Sequence, residues 1–128
     1  MSLTTPLRQV LGLGSAKSGV HHWWMQRLTS VALVPLTLWF VVSLVTLPGF
    51  DHATISAWMS QGLTAPLLVL LVLTMTWHSR LGVQVVIEDY VHTAGVRTVS
   101  LVLVGFAHVF MAAAGVFAIL KVTLGRGA

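Results

Sequence analysis

Three long stretches of this chain carry no formal charge, and that pattern restricts its possible folds more than any other feature. Leu28 to Phe50, His52 to Ser79 and Thr98 to Leu120 contain no Asp, Glu, Lys or Arg. A helix needs roughly 20 mostly apolar residues to cross a bilayer, and each stretch supplies them. In lipid every backbone N–H and C=O must be satisfied within the segment, so these stretches are expected to be helices. Composition points the same way. Of 128 residues 56% are hydrophobic and 8% charged, against about 25% charged in an ordinary soluble domain. A small globule leaves too much surface exposed to hide that much apolar side chain. The expected class is an all-α integral membrane protein with three transmembrane helices.

The formal charge of +4 rests on only seven Lys and Arg, spread along the chain. Nucleic-acid binding needs basic residues concentrated on one face, so it is set aside. With no cysteine, this chain offers no disulfide, thiolate metal site or iron–sulfur ligation. Met1 to Gly19 has no apolar core after its first basic residue and does not read as a secretory signal. It carries Arg8 and Lys17 without an acidic residue, a weak likeness to a mitochondrial presequence. The simpler address is a bacterial inner membrane, with residues 1–23 as a cytoplasmic N-terminal arm.

The spans are expected at about 24–47, 64–88 and 96–122, followed by a short tail over 123–128. Pro48 and Gly49 end the first span, and Pro35 within it predicts a kink. Asp51 to Gly62 is polar enough for a short interfacial helix. Thr64 is expected to cap the second span, with Pro66 tolerated in its first turn. Arg8, Lys17, Arg27 and Arg97 fall on one side of the membrane, and the connection from Pro48 to Leu63 has no Lys or Arg. Lys121 and Arg126 oppose this arrangement but are outnumbered, so the N-terminus is expected to face the cytoplasm. In the third span Gly105, His108, Ala112 and Gly115 form one stripe at helical spacing. Ala107, Met111, Ala114 and Ala118 form a second. Small faces let helix backbones approach closely in lipid.

His78 lies 11 residues before Asp89, so about 16 Å deeper along the helix. An imidazole at that depth needs a partner. It either bonds to a neighbouring helix or serves as an axial ligand to haem, a role that neutral imidazole suits. Gly82, one turn on, removes a side chain that would collide with a flat macrocycle. Asp89 and Tyr90 belong at the cytoplasmic interface, either as plain anchors or as a phenol and carboxylate serving a quinone carbonyl. His21, His22, Trp23, Trp24, Gln26 and Arg27 stand at the mouth of the first span as an aromatic belt. Arg27 there snorkels to head groups or pairs with a carboxylate. Arg80 is too deep for easy snorkelling and points roughly opposite to His78. His108 reaches a similar depth in the third span. It reads as a hydrogen-bonding histidine in a tight contact, or as a second haem ligand within the chain. His52 and His92 fall in connections. No nucleophile–base pair, phosphate loop or metal-protease spacing is present, so the chain is not expected to catalyse anything alone.

The run His78-Ser-Arg-Leu-Gly82-Val-Gln-Val-Val-Ile-Glu-Asp89-Tyr90-Val resembles the motif of D-type hydrophobic membrane anchor subunits of succinate dehydrogenase. Their pattern is His, Gly four on, and Asp-Tyr eleven and twelve on. Gly19-Val20-His21 followed by Arg27 and Thr29 is similar to the start of the family's first helix, and "VVIEDYVH" resembles alphaproteobacterial members. The resemblance implies three helices packing with a second anchor subunit, the cytochrome b subunit, into a bundle. It implies His78 as one axial ligand of haem b, the other coming from that partner, with Arg27 and His21 near a haem propionate. Tyr90 would bond ubiquinone with Asp89 close by, while FAD and the iron–sulfur clusters would belong to a flavoprotein and an iron–sulfur subunit. Arg80 and His108 match no part of that pattern. The rival readings are a fumarate reductase anchor, a cofactor-free structural membrane subunit, and a small transporter. The last would usually show internal repeats and interrupted helices.

Overall fold

The computed structural model describes residues 19–125, so the Arg8 and Lys17 part of the N-terminal arm and Arg126 lie outside the described residues. Four helices follow one another: α1 (Gly19–Thr46), α2 (His52–Met59), α3 (Thr64–Tyr90) and α4 (Ala94–Leu124). No strand occurs among the described residues. Helices α1, α3 and α4 are each long and apolar enough to cross a membrane.

The ends differ in detail from the sequence expectation. Helix α1 begins at Gly19, so the belt His21 to Arg27 is already helical, and it continues through Pro35. Thr64 is not a cap. It is the first residue of α3 and is buried, and the capping position belongs to Leu63, which makes no side-chain bond. The true capping residue is Asp51, whose carboxylate accepts the Thr54 backbone N–H at 3.0 Å and the Thr54 hydroxyl at 2.6 Å. These bonds hold the Asp51 carboxyl below its usual pKa, the Thr54 side chain contributing most. His52 sits in the first turn of α2, while His92 is exposed in the connection before α4.

Helix α3 is the central element. Helices α1 and α4 pack on it from two sides and not on each other, and α2 closes the end far from Tyr90 against α3 and α4. That end holds the apolar core, Trp58, Leu68 and Ile119, flanked by Trp39, Phe40, Leu44 and Val72. The Trp58 ring stacks on Trp39, centroids 6.2 Å apart. The short helix is thus fastened to the bundle by one buried indole.

Between α3 and α4 the first small-residue stripe makes the contact. A Cβ on Gly115 would lie 2.8 Å from Val72 Cγ1, closer than side chains tolerate. The second stripe, Ala107 to Ala118, faces outward. Exposed Val31, Val34, Leu38, Phe106, Phe110 and Phe117 continue that apolar exterior, as expected of helices bathed in lipid or covered by another membrane chain. Hydroxyls within the spans cost little because they bond back to their own helix. Thr76 donates to the Val72 carbonyl at 2.6 Å and Thr98 to that of Ala94 at 3.0 Å.

Candidate functional site

His78 is one residue past Trp77, the midpoint of α3, so it stands at mid-depth of the bundle. Its half-buried ring faces α1. The Thr29 hydroxyl lies 2.9 Å from His78 Nδ1. That hydroxyl donates its single proton to backbone carbonyls, Met25 at 2.8 Å and Gln26 at 3.1 Å. Its free lone pair is placed to accept from Nδ1–H, the tautomer in which Nε2 of His78 carries no proton. A neutral imidazole bonded through one nitrogen and open at the other is the form that ligates a metal.

The open nitrogen is covered only loosely. The Gln26 amide nitrogen is 3.4 Å from His78 Nε2, at the outer limit of a hydrogen bond. The same amide lies over Gly82, where an added Cβ would come within 3.9 Å of it. Two buried polar atoms on the same face of α1 have no partner among the described residues, Gln26 Oε1 and His22 Nε2. Buried polar groups are normally bonded, so this cluster is polar, incomplete and centred on an imidazole lone pair. Among the described residues no three His, Asp or Glu side chains converge on one point. Among the described residues His78 thus belongs to no set of three ligands that could hold a metal by itself.

The other histidine at depth is differently engaged. His108 is buried, 8% exposed, and spends both nitrogens. Nδ1 donates to the Val104 carbonyl at 2.8 Å, and Nε2 accepts from the Ser79 hydroxyl at 3.3 Å. His78 faces α1 while His108 faces the α3–α4 contact. The fold does not bring the two rings together, so ligation by both within the chain has no geometric basis.

Helices α1 and α3 run antiparallel, which brings the remaining candidates to one end. His21 lines a cavity of about 310 Å³ with His22, Met25, Trp77, Gln84 and Glu88. Arg27 is exposed and places its guanidinium 5.5 Å from the Trp23 ring centroid. It is free to meet a carboxylate outside this chain, but shares no pocket with His21. Asp89 and Tyr90 occupy the last turn of α3, with Tyr90 78% exposed. Glu88 is held by the Gln84 amide at 2.8 Å, and Asp89 is not. Tyr90 thus presents its phenol at the surface of the bundle, away from the His78 cluster. Sequence reasoning named His78 but did not pair it with Thr29. The signal was there, since a hydroxyl residue in a charge-free span next to a buried imidazole is a ready partner.

Comparison with known proteins gives the site a context. Residues 1–117 match the family described as succinate dehydrogenase/fumarate reductase transmembrane subunit. The chain is similar to the succinate dehydrogenase hydrophobic membrane anchor subunit of Rickettsia bellii, 36% identical over 91 residues, covering 71% of this chain and 73% of that protein. It is 31% identical to the succinate dehydrogenase membrane anchor subunit of Reclinomonas americana over 91 residues, 69% of this chain and 76% of that one. The hydrophobic membrane anchor subunit of Paracoccus denitrificans aligns over nearly everything, 29% identical across 128 residues, 98% of this chain and 96% of its own.

Proposed function

This chain belongs to the succinate dehydrogenase/fumarate reductase transmembrane-subunit family, and from that premise we propose that it is the hydrophobic anchor of a succinate:ubiquinone oxidoreductase. In this reading it tethers a flavoprotein and an iron–sulfur subunit to a bacterial inner membrane with its N-terminus cytoplasmic. Together with a cytochrome b subunit it completes sites for haem b and ubiquinone. FAD and the iron–sulfur clusters belong to the soluble partners.

The observation that carries the haem assignment is the hydrogen bond between Thr29 and His78 Nδ1. It supports the tautomer with the Nε2 lone pair directed away from Thr29, at mid-depth, beside a glycine. The orphaned Gln26 Oε1 and His22 Nε2 are consistent with a site finished by something beyond this chain. His78 is the residue proposed to hold the haem iron. Exposed Arg27, with His21 nearer the cavity at the same end, is the proposed partner of a propionate. Bound here, haem b supplies one-electron storage within the membrane.

Tyr90 is the proposed quinone residue. Its phenol O–H is exposed at the end of α3 and can donate to a ubiquinone carbonyl, with Asp89 next to it to take up and pass on a proton. The side chains themselves move no electrons, which arrive from succinate through the partner subunits.

The decisive experiment is to purify the complex from membranes and record a reduced-minus-oxidised spectrum. A b-type signal that is lost or shifted in His78→Ala is expected. A wild-type complex without that signal would end the haem assignment, and an unchanged spectrum in His78→Ala would move the ligand elsewhere.

A further inference from the structure

Arg80 is three residues from the midpoint of α3, so about 5 Å from the centre of the span. Helical side chains lean toward the N-terminus of their own helix, and Arg80 does so. Its guanidinium lies 5.6 Å from the ring centroid of Trp77, one turn further from the Tyr90 end. Nη2 also approaches Gly105 of α4, 3.8 Å from where a Cβ would stand. Gly105 is 11 residues into α4, about 16 Å from that helix's start. The charge is thus held level with the middle of the bundle and is not drawn up to the near surface.

A guanidinium cannot lose its charge, and a cation at the centre of a bilayer is costly unless it is paired, a carboxylate being the strongest partner. The entire sequence contains three acidic side chains. Asp51 caps α2 at the far end, Glu88 is bonded to Gln84, and Asp89 lies nine residues nearer the surface. None is at the depth of Arg80, and a second copy of the chain would bring none. Lipid phosphates sit outside a hydrocarbon layer of about 30 Å, a distance the inward-leaning side chain does not cover. His78 faces α1 while Arg80 reaches toward Gly105 of α4, so the guanidinium points away from the His78 ring.

Two hollows border Arg80 along α3 and α4. Arg80 and His108 border a cavity of about 240 Å³ walled by Leu73, Thr76, Val109 and Ala112. A second hollow of about 380 Å³ runs past Arg80 along Gly105 and Phe106. We propose that the α3–α4 groove at Arg80 docks a transmembrane helix of another membrane subunit, one carrying Asp or Glu at mid-depth, whose carboxylate pairs with the Arg80 guanidinium. This rests on the anchor reading only in requiring a second membrane chain, and not on the haem or quinone assignments.

The test uses Arg80→Lys and Arg80→Leu in the whole complex. Treating Arg80→Lys membranes with dicyclohexylcarbodiimide should join the new amine to the facing carboxylate as an amide. Peptide sequencing by mass spectrometry should then place that carboxylate inside a transmembrane segment of a different polypeptide. Arg80→Leu, which strands the buried carboxylate, should lower co-purification of that polypeptide by about tenfold, while Arg80→Lys retains it. A cross-link confined to Glu88 or Asp89 of this chain overturns the proposal, as does no cross-link with full subunit retention in Arg80→Leu. Loss of a bound anionic phospholipid, with all subunits retained, also overturns it and names lipid as the partner. The b-type spectra of the wild-type and His78→Ala complexes, neither of which is changed at Arg80, test the haem reading separately and keep the two apart.

Discussion

Thr29 and His78 face each other across α1 and α3 with 2.9 Å between hydroxyl and Nδ1, and the hydroxyl donates a hydrogen bond to the Met25 carbonyl 2.8 Å away. One backbone carbonyl, one hydroxyl and one imidazole therefore form a chain at mid-membrane that decides which ring nitrogen is left bare. Removing the hydroxyl by Thr29→Val keeps the shape and frees the ring to take either tautomer. Groups that orient a ligating histidine typically contribute about 10- to 100-fold to metal affinity. Thr29→Val should therefore lower haem retention about tenfold on washing the purified complex with a competing haem-binding protein. Thr29→Ser should restore it. Equal retention in both variants would leave the hydroxyl without an orienting role.

Gly115 and Val72 give a second expectation. A Cβ at 2.8 Å from Val72 Cγ1 cannot be accommodated without movement, and a valine in a helix has essentially one comfortable rotamer. Gly115→Ala should destabilise the bundle by about 1–3 kcal/mol, seen as a lowered midpoint in thermal unfolding of the detergent-solubilised complex. Adding Val72→Ala should recover most of that loss. Gly105→Ala should leave the α3–α4 contact itself nearly undisturbed, because the nearest side-chain atom across it, Arg80 Nη2, is at an ordinary 3.8 Å.

His108 serves packing between α3 and α4. His108→Ala removes the bond to the Val104 carbonyl within α4 and the bond to Ser79 across to α3, an interhelical bond in lipid contributing about 0.6 kcal/mol. A lowered unfolding midpoint with an intact b-type spectrum is expected. Disappearance of the haem signal in this variant alone would revive ligation by both histidines.

At the exposed end of α3, Tyr90→Phe deletes the phenol O–H and little else. Ubiquinone reduction by the complex should fall roughly tenfold or more, while succinate oxidation with an artificial acceptor that bypasses quinone stays near wild type. A parallel fall in both activities would count against Tyr90 as the quinone donor.

The Asp51 cap carries a pH dependence of definite sign. Its folded pKa is depressed by the Thr54 bonds, so its contribution is complete above the ordinary carboxylate value near about pH 4. It is lost as pH falls through the lowered folded value. Helix α2 should therefore loosen only in acid, reported by fluorescence of Trp58. Asp51→Asn should flatten that acid transition, and an unchanged one would mean the cap is not its source.

Much of the fold was legible along the chain because a bilayer imposes local rules. A charge-free apolar run long enough to cross lipid favours a helix whatever it packs against, so Leu28 to Phe50 and Thr98 to Leu120 announced α1 and α4, while His52 to Ser79 divides between α2 and α3. Glycine spacing in α4 likewise marked the face on α3. The Thr64 cap failed because capping depends on how the chain enters the helix, and Asp51 with Thr54 took that role at α2 instead. At the site, depth was readable from residue counts, which put His78, Arg80 and His108 near mid-membrane.

What the sequence by itself determined is therefore the set of three apolar helices, their polar residues and the depth of each. Depth follows from rise per residue, a property of the helix alone. Only the tertiary structure decided which neighbour each of those polar residues meets. Azimuth around α3 turned His78 toward Thr29 with Nε2 open, left His108 saturated by Val104 and Ser79, and left Arg80 over Trp77 with no carboxylate from its own chain. The physical reason is that an interaction in lipid is fixed by which helix faces pack together, and that choice is made by side chains distant in sequence, such as Val72 closing on Gly115.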